Sequence, residues 1–170
     1  MEEIYRLIKM LSVLELRVKR LKANETNAIN YISHVNLQIV KLQDDGNVEL
    51  GSQYAGTKSS LVKLRKAINV QYNEELVKHQ NAYNMFIFKL SSISNEDLKE
   101  INYYLENEVL KLNGLVDIIA NSNDELAIQC YKTFYGSNVL PVDEEDFRSE
   151  LLSDIETKKN LFMNLSNYIQ

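Results

Sequence analysis

The residues that could do chemistry in this chain are few and badly spaced for it. His34 and His79 are the only histidines, and Cys130 is the only cysteine. A metal site needs several imidazole, thiolate or carboxylate ligands converging, and a di-iron bundle needs Glu-x-x-His on two helices. Tyr31 stands three residues before His34 and Leu76 three before His79, so neither has the required glutamate. Paired acids occur at Asp44-Asp45, at Glu74-Glu75 and from Asp143 to Asp146. The first and last of these suit helix termini, and a general acid would need an apolar pocket around one of them. Cys130 lies on an apolar helical stripe, where a small buried side chain is expected rather than a nucleophile. No catalytic residue, metal or cofactor is therefore assigned, and the chain reads as a docking protein rather than an enzyme.

The elements that carry these residues are helices. One proline and five glycines in 170 residues leave few places to break a helix. With 45% hydrophobic and 25% charged residues the chain has the composition of a folded domain with a sizeable core. Stepping alternately by three and four from Ile4 gives Leu7, Leu11, Leu14, Val18, Leu21, Glu25, Ala28, Ile32, Val35, Ile39 and Leu42. Only Glu25 breaks this coiled-coil seam. Asn24-Glu25-Thr26-Asn27 clusters poor helix formers and is the place to expect a kink.

Asp44-Asp45-Gly46-Asn47 ends the first helix, and Val48 to Thr57, with Gly51 and Gly56, reads as an elbow. Thr57 or Ser59 is the expected cap of a second helix, whose stripe runs through Leu61, Leu64, Ile68, Tyr72, Leu76, His79, Tyr83, Phe86, Leu90 and Ile93. Its consecutive four-residue steps from Leu64 to Leu76 form a stutter. Ser94 caps a third helix carrying Leu98, Ile101, Leu105, Val109, Leu112, Val116 and Ile119; it runs on through Phe134 or breaks at Asn121-Ser122-Asn123. After a loop ending at Pro141, Asp143 caps a last helix striped by Phe147, Leu151, Ile155, Phe162, Leu165 and Ile169. The expectation is an all-α fold: an elongated bundle or coiled coil of four to five helices, spined by a long antiparallel hairpin. It forms one domain over 1–170, with helices near 2–43, 57–92, 95–134 and 143–169.

Charge and leader signals narrow the partners. The net charge is -5 and the cations are scattered, so nucleic acid is not expected. The acidic start Met1-Glu2-Glu3-Ile4 is not a Sec signal peptide, and no apolar run approaches the ~18 residues of a membrane span. The chain is expected in the cytoplasm, leaving it, if at all, by a Sec-independent route. Ten tyrosines without tryptophan suit interfaces as well as cores, and adjacent Tyr103 and Tyr104 cannot both face one core.

An aromatic-x-Gly tripeptide, here Tyr54-Ala55-Gly56, between two long antiparallel helices is the plan of the small WxG-type substrates of type VII secretion. Along its full length the chain resembles their larger relative, the LXG domain of polymorphic toxins. Leu50 and Gly51 are adjacent where that family spaces them by one residue, and the acidic connector Leu140-Pro141-Val142-Asp143-Glu144-Glu145 leads into the last helix. The resemblance implies a non-enzymatic targeting domain that binds small WxG-like helical partners and directs a toxin to the type VIIb system. A secretion ATPase or channel component is the implied receiver, and secretion for interbacterial competition the implied destination. The expected partner surface is Leu42, Leu50, Gly51, Tyr54, Gly56 and Leu61. A Tyr-x-x-x-Glu export signal can be read at Tyr104 and Glu108, a spacing that ten tyrosines and 24 acids also produce by chance. The alternative from the same seam is a free-standing coiled-coil scaffold or adaptor that self-associates.

Overall fold

The computed structural model describes residues 1–136 and 147–169. Five helices account for nearly all of them: α1 (Glu2–Asp44), α2 (Val48–Leu90), α3 (Asn95–Asn121), α4 (Asp124–Tyr135) and α5 (Phe147–Asn167). No strand occurs among the described residues, so the fold is all-α as expected. The expected Asp143 cap, its acidic first turn and the connector from Leu140 to Glu145 lie outside the described residues.

The turn between α1 and α2 is tighter and earlier than the glycine pattern implies. Gly46 adopts φ +72°, the left-handed conformation that glycine enters without steric cost. The Asn47 N–H donates to the Leu42 carbonyl at 2.9 Å and the Gly46 N–H to Gln43 at 3.1 Å. These two bonds make a Schellman motif that satisfies the last carbonyls of α1. Asn47 then turns to α2, its Oδ1 accepting from the Leu50 N–H at 3.3 Å.

The elbow expected over Val48 to Thr57 is therefore the first turns of α2, and the second helix starts at Val48 rather than near 57. Thr57 is no cap: its hydroxyl donates to the Gln53 carbonyl inside the helix. Two helical glycines cost about 1 kcal/mol each relative to alanine, too little to stop a helix already propagating from a capped start. Likewise α1 runs unbroken through Asn24–Asn27, where the Thr26 hydroxyl folds back onto the Lys22 carbonyl.

The described chain divides into two compact units, one of Met1–Leu16 with Ala82–Gln170, the other of Arg17–Asn81. The first holds the hydrophobic core. Ile4, Leu7, Ile8 and Leu11 of α1 meet Phe86 of α2, Ile101 and Leu105 of α3, and Leu151, Ile155 and Leu165 of α5, all at most 2% exposed. Cys130 and Tyr131 of α4 complete the cluster. The stripes read for α3 and α5 are these buried faces.

At Ser122 the third helix ends, which settles the expected 95–134 element as two helices. Ser94 caps α3 by accepting from the Asp97 N–H, and Asn123 caps α4 by accepting from Leu126 at 3.1 Å. The break leaves α3 with orphan carbonyls. Arg148 of α5 donates to those of Ile119 (2.7 Å) and Ser122 (3.1 Å), while pairing with Asp124 at 2.7 Å. One guanidinium thus fixes the α3–α4 joint.

Candidate functional site

The second unit is a two-helix hairpin, residues 17–44 of α1 against 48–81 of α2. Its pairing is antiparallel: Arg17 meets Glu75 and, eight residues on, Glu25 meets Asn69. Every predicted seam residue of α1 in this unit, from Val18 to Leu42, is buried or half-buried. That includes Glu25, the one break in the pattern, which occupies the same face.

What holds Glu25 there is a polar layer. Asn69 Nδ2 donates to one carboxylate oxygen at 3.0 Å and Lys22 Nζ to the other at 3.4 Å. The Asn69 bond, with Lys22 and the field of Arg65 behind it, holds the Glu25 carboxyl below the usual carboxylate range against the opposing effect of desolvation. Asn73 donates in turn to Asn69 Oδ1 at 3.1 Å, and Lys22 lies over the Tyr72 ring at 5.4 Å. A second polar level follows, in which Lys78 donates to Glu75 at 2.8 Å and lowers its pKa, with Arg17 at 3.8 Å adding to the effect. Polar seam positions of this kind pin a helix pair to one register.

These levels correct the stripe expected for α2. Leu64 and Leu76 point out, 52% and 40% exposed, while Val62, Asn69 and Glu75 are half-buried alongside Leu61, Ile68, Tyr72 and His79. The stutter through Leu64 and Leu76 is therefore not the packed seam.

Of the residues expected to form a partner surface, Leu50, Tyr54 and Leu61 come together as one stripe of α2. With Thr57, Leu64 and Ile68 they are spaced by four, three, four, three and four, a continuous helical face. Leu50 is 41% and Tyr54 36% exposed; Leu61 and Ile68 are half-buried. Gly51 borders this stripe. Gly56 sits on a different face, and Leu42 is half-buried at the end of α1. A Cβ at either glycine would meet nothing within 4 Å, so neither is required by the turn or by packing within the chain.

Placing Leu64 on the packed seam of α2 hides that it continues this face outward. The signal that could have found it is charge. Residues 26–40 of α1 carry no Asp, Glu, Lys or Arg, and Ile29, Tyr31, Leu37 and Val40 there are exposed. Between Glu49 and Glu74, α2 holds Lys58, Lys63, Arg65 and Lys66 and no acid.

In the first unit the titratable side chains of Cys130 and Lys158 lie in packed surroundings. Burial raises the Cys130 thiol and so withholds the thiolate a nucleophile needs. Lys158 lies 5.4 Å over Phe134 and 5.7 Å over Phe162, and burial lowers its pKa. Tyr104 packs edge-on against Tyr5 at 4.9 Å, whereas Tyr103 is 67% exposed. Asp154 is buried and accepts a hydrogen bond from the Tyr135 hydroxyl. A cleft of about 580 Å³ beside α3 is lined by Asn95, Leu98, Asn102, Tyr103 and Ile169, with Lys99 and Glu106 as its charged groups. Among the described residues no three His, Cys, Asp or Glu side chains gather as metal ligands, and no helix is long and apolar enough to cross a membrane.

Compared with family models, curated proteins and solved structures, the chain matches none. Its class rests on the fold: an all-α protein in which one unit carries the core and the other is a polar-registered helical hairpin.

Proposed function

We propose that the chain is a non-enzymatic docking domain that receives small helical proteins on its hairpin. The observation that carries this is the α2 stripe from Leu50 to Ile68, exposed at Leu50, Tyr54, Thr57 and Leu64 and half-buried at Leu61 and Ile68, on a unit whose only buried apolar residues are Ala28 and Val35. A helix pair with so little core of its own gains most from a further helix laid along it. In the LXG-like setting the occupants are WxG-like helical hairpins, and the complex is cargo for the type VIIb route. The chain is then made in the cytoplasm and leaves by a Sec-independent path, with a secretion ATPase or channel component as receiver.

The test is co-expression with the small helical proteins encoded beside this chain, read by size exclusion with light scattering. A stable hetero-complex is expected, lost on Leu50→Asp with Leu64→Asp while circular dichroism stays helical. A well-folded monomer that captures none of those proteins refutes the proposal. A homodimer through the same stripe replaces it with the self-associating scaffold reading.

A further inference from the structure

A second cleft beside α3, of about 460 Å³, lies where Tyr5 of α1 meets that helix. We infer that it binds a small organic cation whose charge is a methylated ammonium, held by the rings of Tyr5, Tyr103 and Tyr104 and by the Glu100 carboxylate. Every residue of this site lies in the first unit, so it is independent of docking on the hairpin.

Helical spacing builds the site. Glu100, Tyr104 and Glu108 follow at four-residue steps and share one face of α3, and Tyr103 stands beside them. Tyr5 reaches that face from α1: its ring meets Tyr104 edge-on at 4.9 Å, and its hydroxyl donates to Glu100 Oε1 at 3.1 Å. Tyr103 is 67% exposed and has no ring or hydrogen-bond partner among the described residues, yet it lines the cleft. Three phenol rings therefore border one space, and the faces of such rings attract cations.

The charge of the cleft has the matching sign. Glu108 is answered by Lys111 at 2.6 Å, but Glu100 forms no ion pair among the described residues. One negative charge is left over, and its field is felt: burial raises the pKa of the Tyr5 hydroxyl, and Glu100 and Asp97 raise it further. Glu100 and Glu108 each have one oxygen already engaged, by Tyr5 and by Lys111. A guanidinium would bring five N–H donors and find few acceptors left for them in the cleft. A methylated ammonium brings few or none and needs only aromatic faces and a negative field. A phosphate attached to it would be repelled by Glu100, which favours a free choline-like cation over a phosphocholine headgroup.

The probes are choline, its uncharged isostere with a tert-butyl group in place of the trimethylammonium, phosphocholine and arginine amide. Each is titrated into the isotope-labelled full chain, and binding is read from amide chemical shifts. Choline is expected to shift the amides around Glu100, Tyr103 and Tyr104 and to bind at least about tenfold tighter than the isostere. Phosphocholine and arginine amide are expected to bind more weakly than choline. Tyr103→Ala, at a largely exposed position, is expected to lower choline affinity at least about fivefold with helicity unchanged. Glu100→Gln is expected to weaken choline and leave the isostere unaffected, and Tyr31→Ala, at a similarly exposed tyrosine of the hairpin, to change nothing. No saturable shift, equal affinity for choline and the isostere, shifts centred on other tyrosines, or full binding by Tyr103→Ala overturns the inference. Tighter binding of arginine amide or phosphocholine than of choline overturns the methylated-ammonium assignment.

Discussion

Replacing Gly51 and Gly56 by alanine separates a helix that happens to contain glycines from an elbow that needs them. Both lie inside α2, and neither has the positive φ found at Gly46. An added Cβ meets nothing within 4 Å at either site, so no steric cost opposes the gain. Glycine in a helix interior is destabilising by roughly 0.5–1 kcal/mol against alanine, and the pair together by about 1–2 kcal/mol. At about 1.4 kcal/mol per tenfold, that lowers the open fraction of the first turns of α2 by about 5- to 30-fold. Native-state hydrogen exchange over residues 48–60 measures this, and the double variant is expected to exchange more slowly by that factor. Faster exchange there, or lost helicity, would refute the reasoning and restore a bent, glycine-dependent segment. If Gly51→Ala stabilises the hairpin yet weakens the partner complex, the glycine serves the close approach of a partner's backbone instead.

Phe86→Ala empties a fully buried position of the first unit and is expected to cost about 3–5 kcal/mol in urea unfolding; Leu64→Ala, half-exposed on the hairpin, is expected to cost less than about 0.5 kcal/mol. Arg148→Ala strips two carbonyls and Asp124 of their partner at the α3–α4 joint, an expected loss of about 1–3 kcal/mol by the same measurement. The carboxyls of Glu25 and Glu75 titrate below their unfolded values, so their contribution is present above the ordinary carboxylate range and is lost as pH falls through and below it. Exchange over the hairpin is therefore expected to accelerate on acidification, less steeply in Glu25→Gln. Burial, with the hydrogen bond to Tyr168 behind it, pushes the Tyr83 hydroxyl up to about 12. Its neutral form stabilises the first unit fully below the unfolded tyrosine value of 10.0, and that contribution disappears as pH rises through about 12. An alkaline absorbance titration against Tyr83→Phe is expected to show one late-ionising tyrosine fewer; no change in the late phase counts against it.

The α1 seam was legible because apolar spacing and burial coincide along it, and even Glu25 kept its place in the period. The helix stop at Asp44–Asn47 was legible too, since it uses residues that tolerate a left-handed backbone. The start of α2 was not, because Gly51 and Gly56 look like breakers in isolation and their penalty is small beside the cooperativity of a long helix. The α2 stripe misled for a different reason: Leu64 and Leu76 are apolar and face outward, while Asn69 and Glu75 are polar and face inward. Local spacing does not reveal that Asn69 will find Glu25 44 residues away. Arg148 and Asp154 were missed likewise, as their partners come from α3 and α4 across long stretches of chain. Of the candidate surface, Leu50, Tyr54 and Leu61 follow from the resemblance and its expected elbow, which attaches them to a bend; the exposed Leu64 that continues their face reads as seam from spacing alone.

Asn47 belongs to both helices at once, its N–H closing α1 and its side chain opening α2. That leaves the reversal without slack. Inserting or deleting one residue there would rotate all of α2 by about 100° about its own axis. Such a rotation would carry Asn69 away from Glu25 and swing the outward leucines to a new bearing. The three residues between α1 and α2 thus act as an index mark, setting which side of the second helix is shown to the outside.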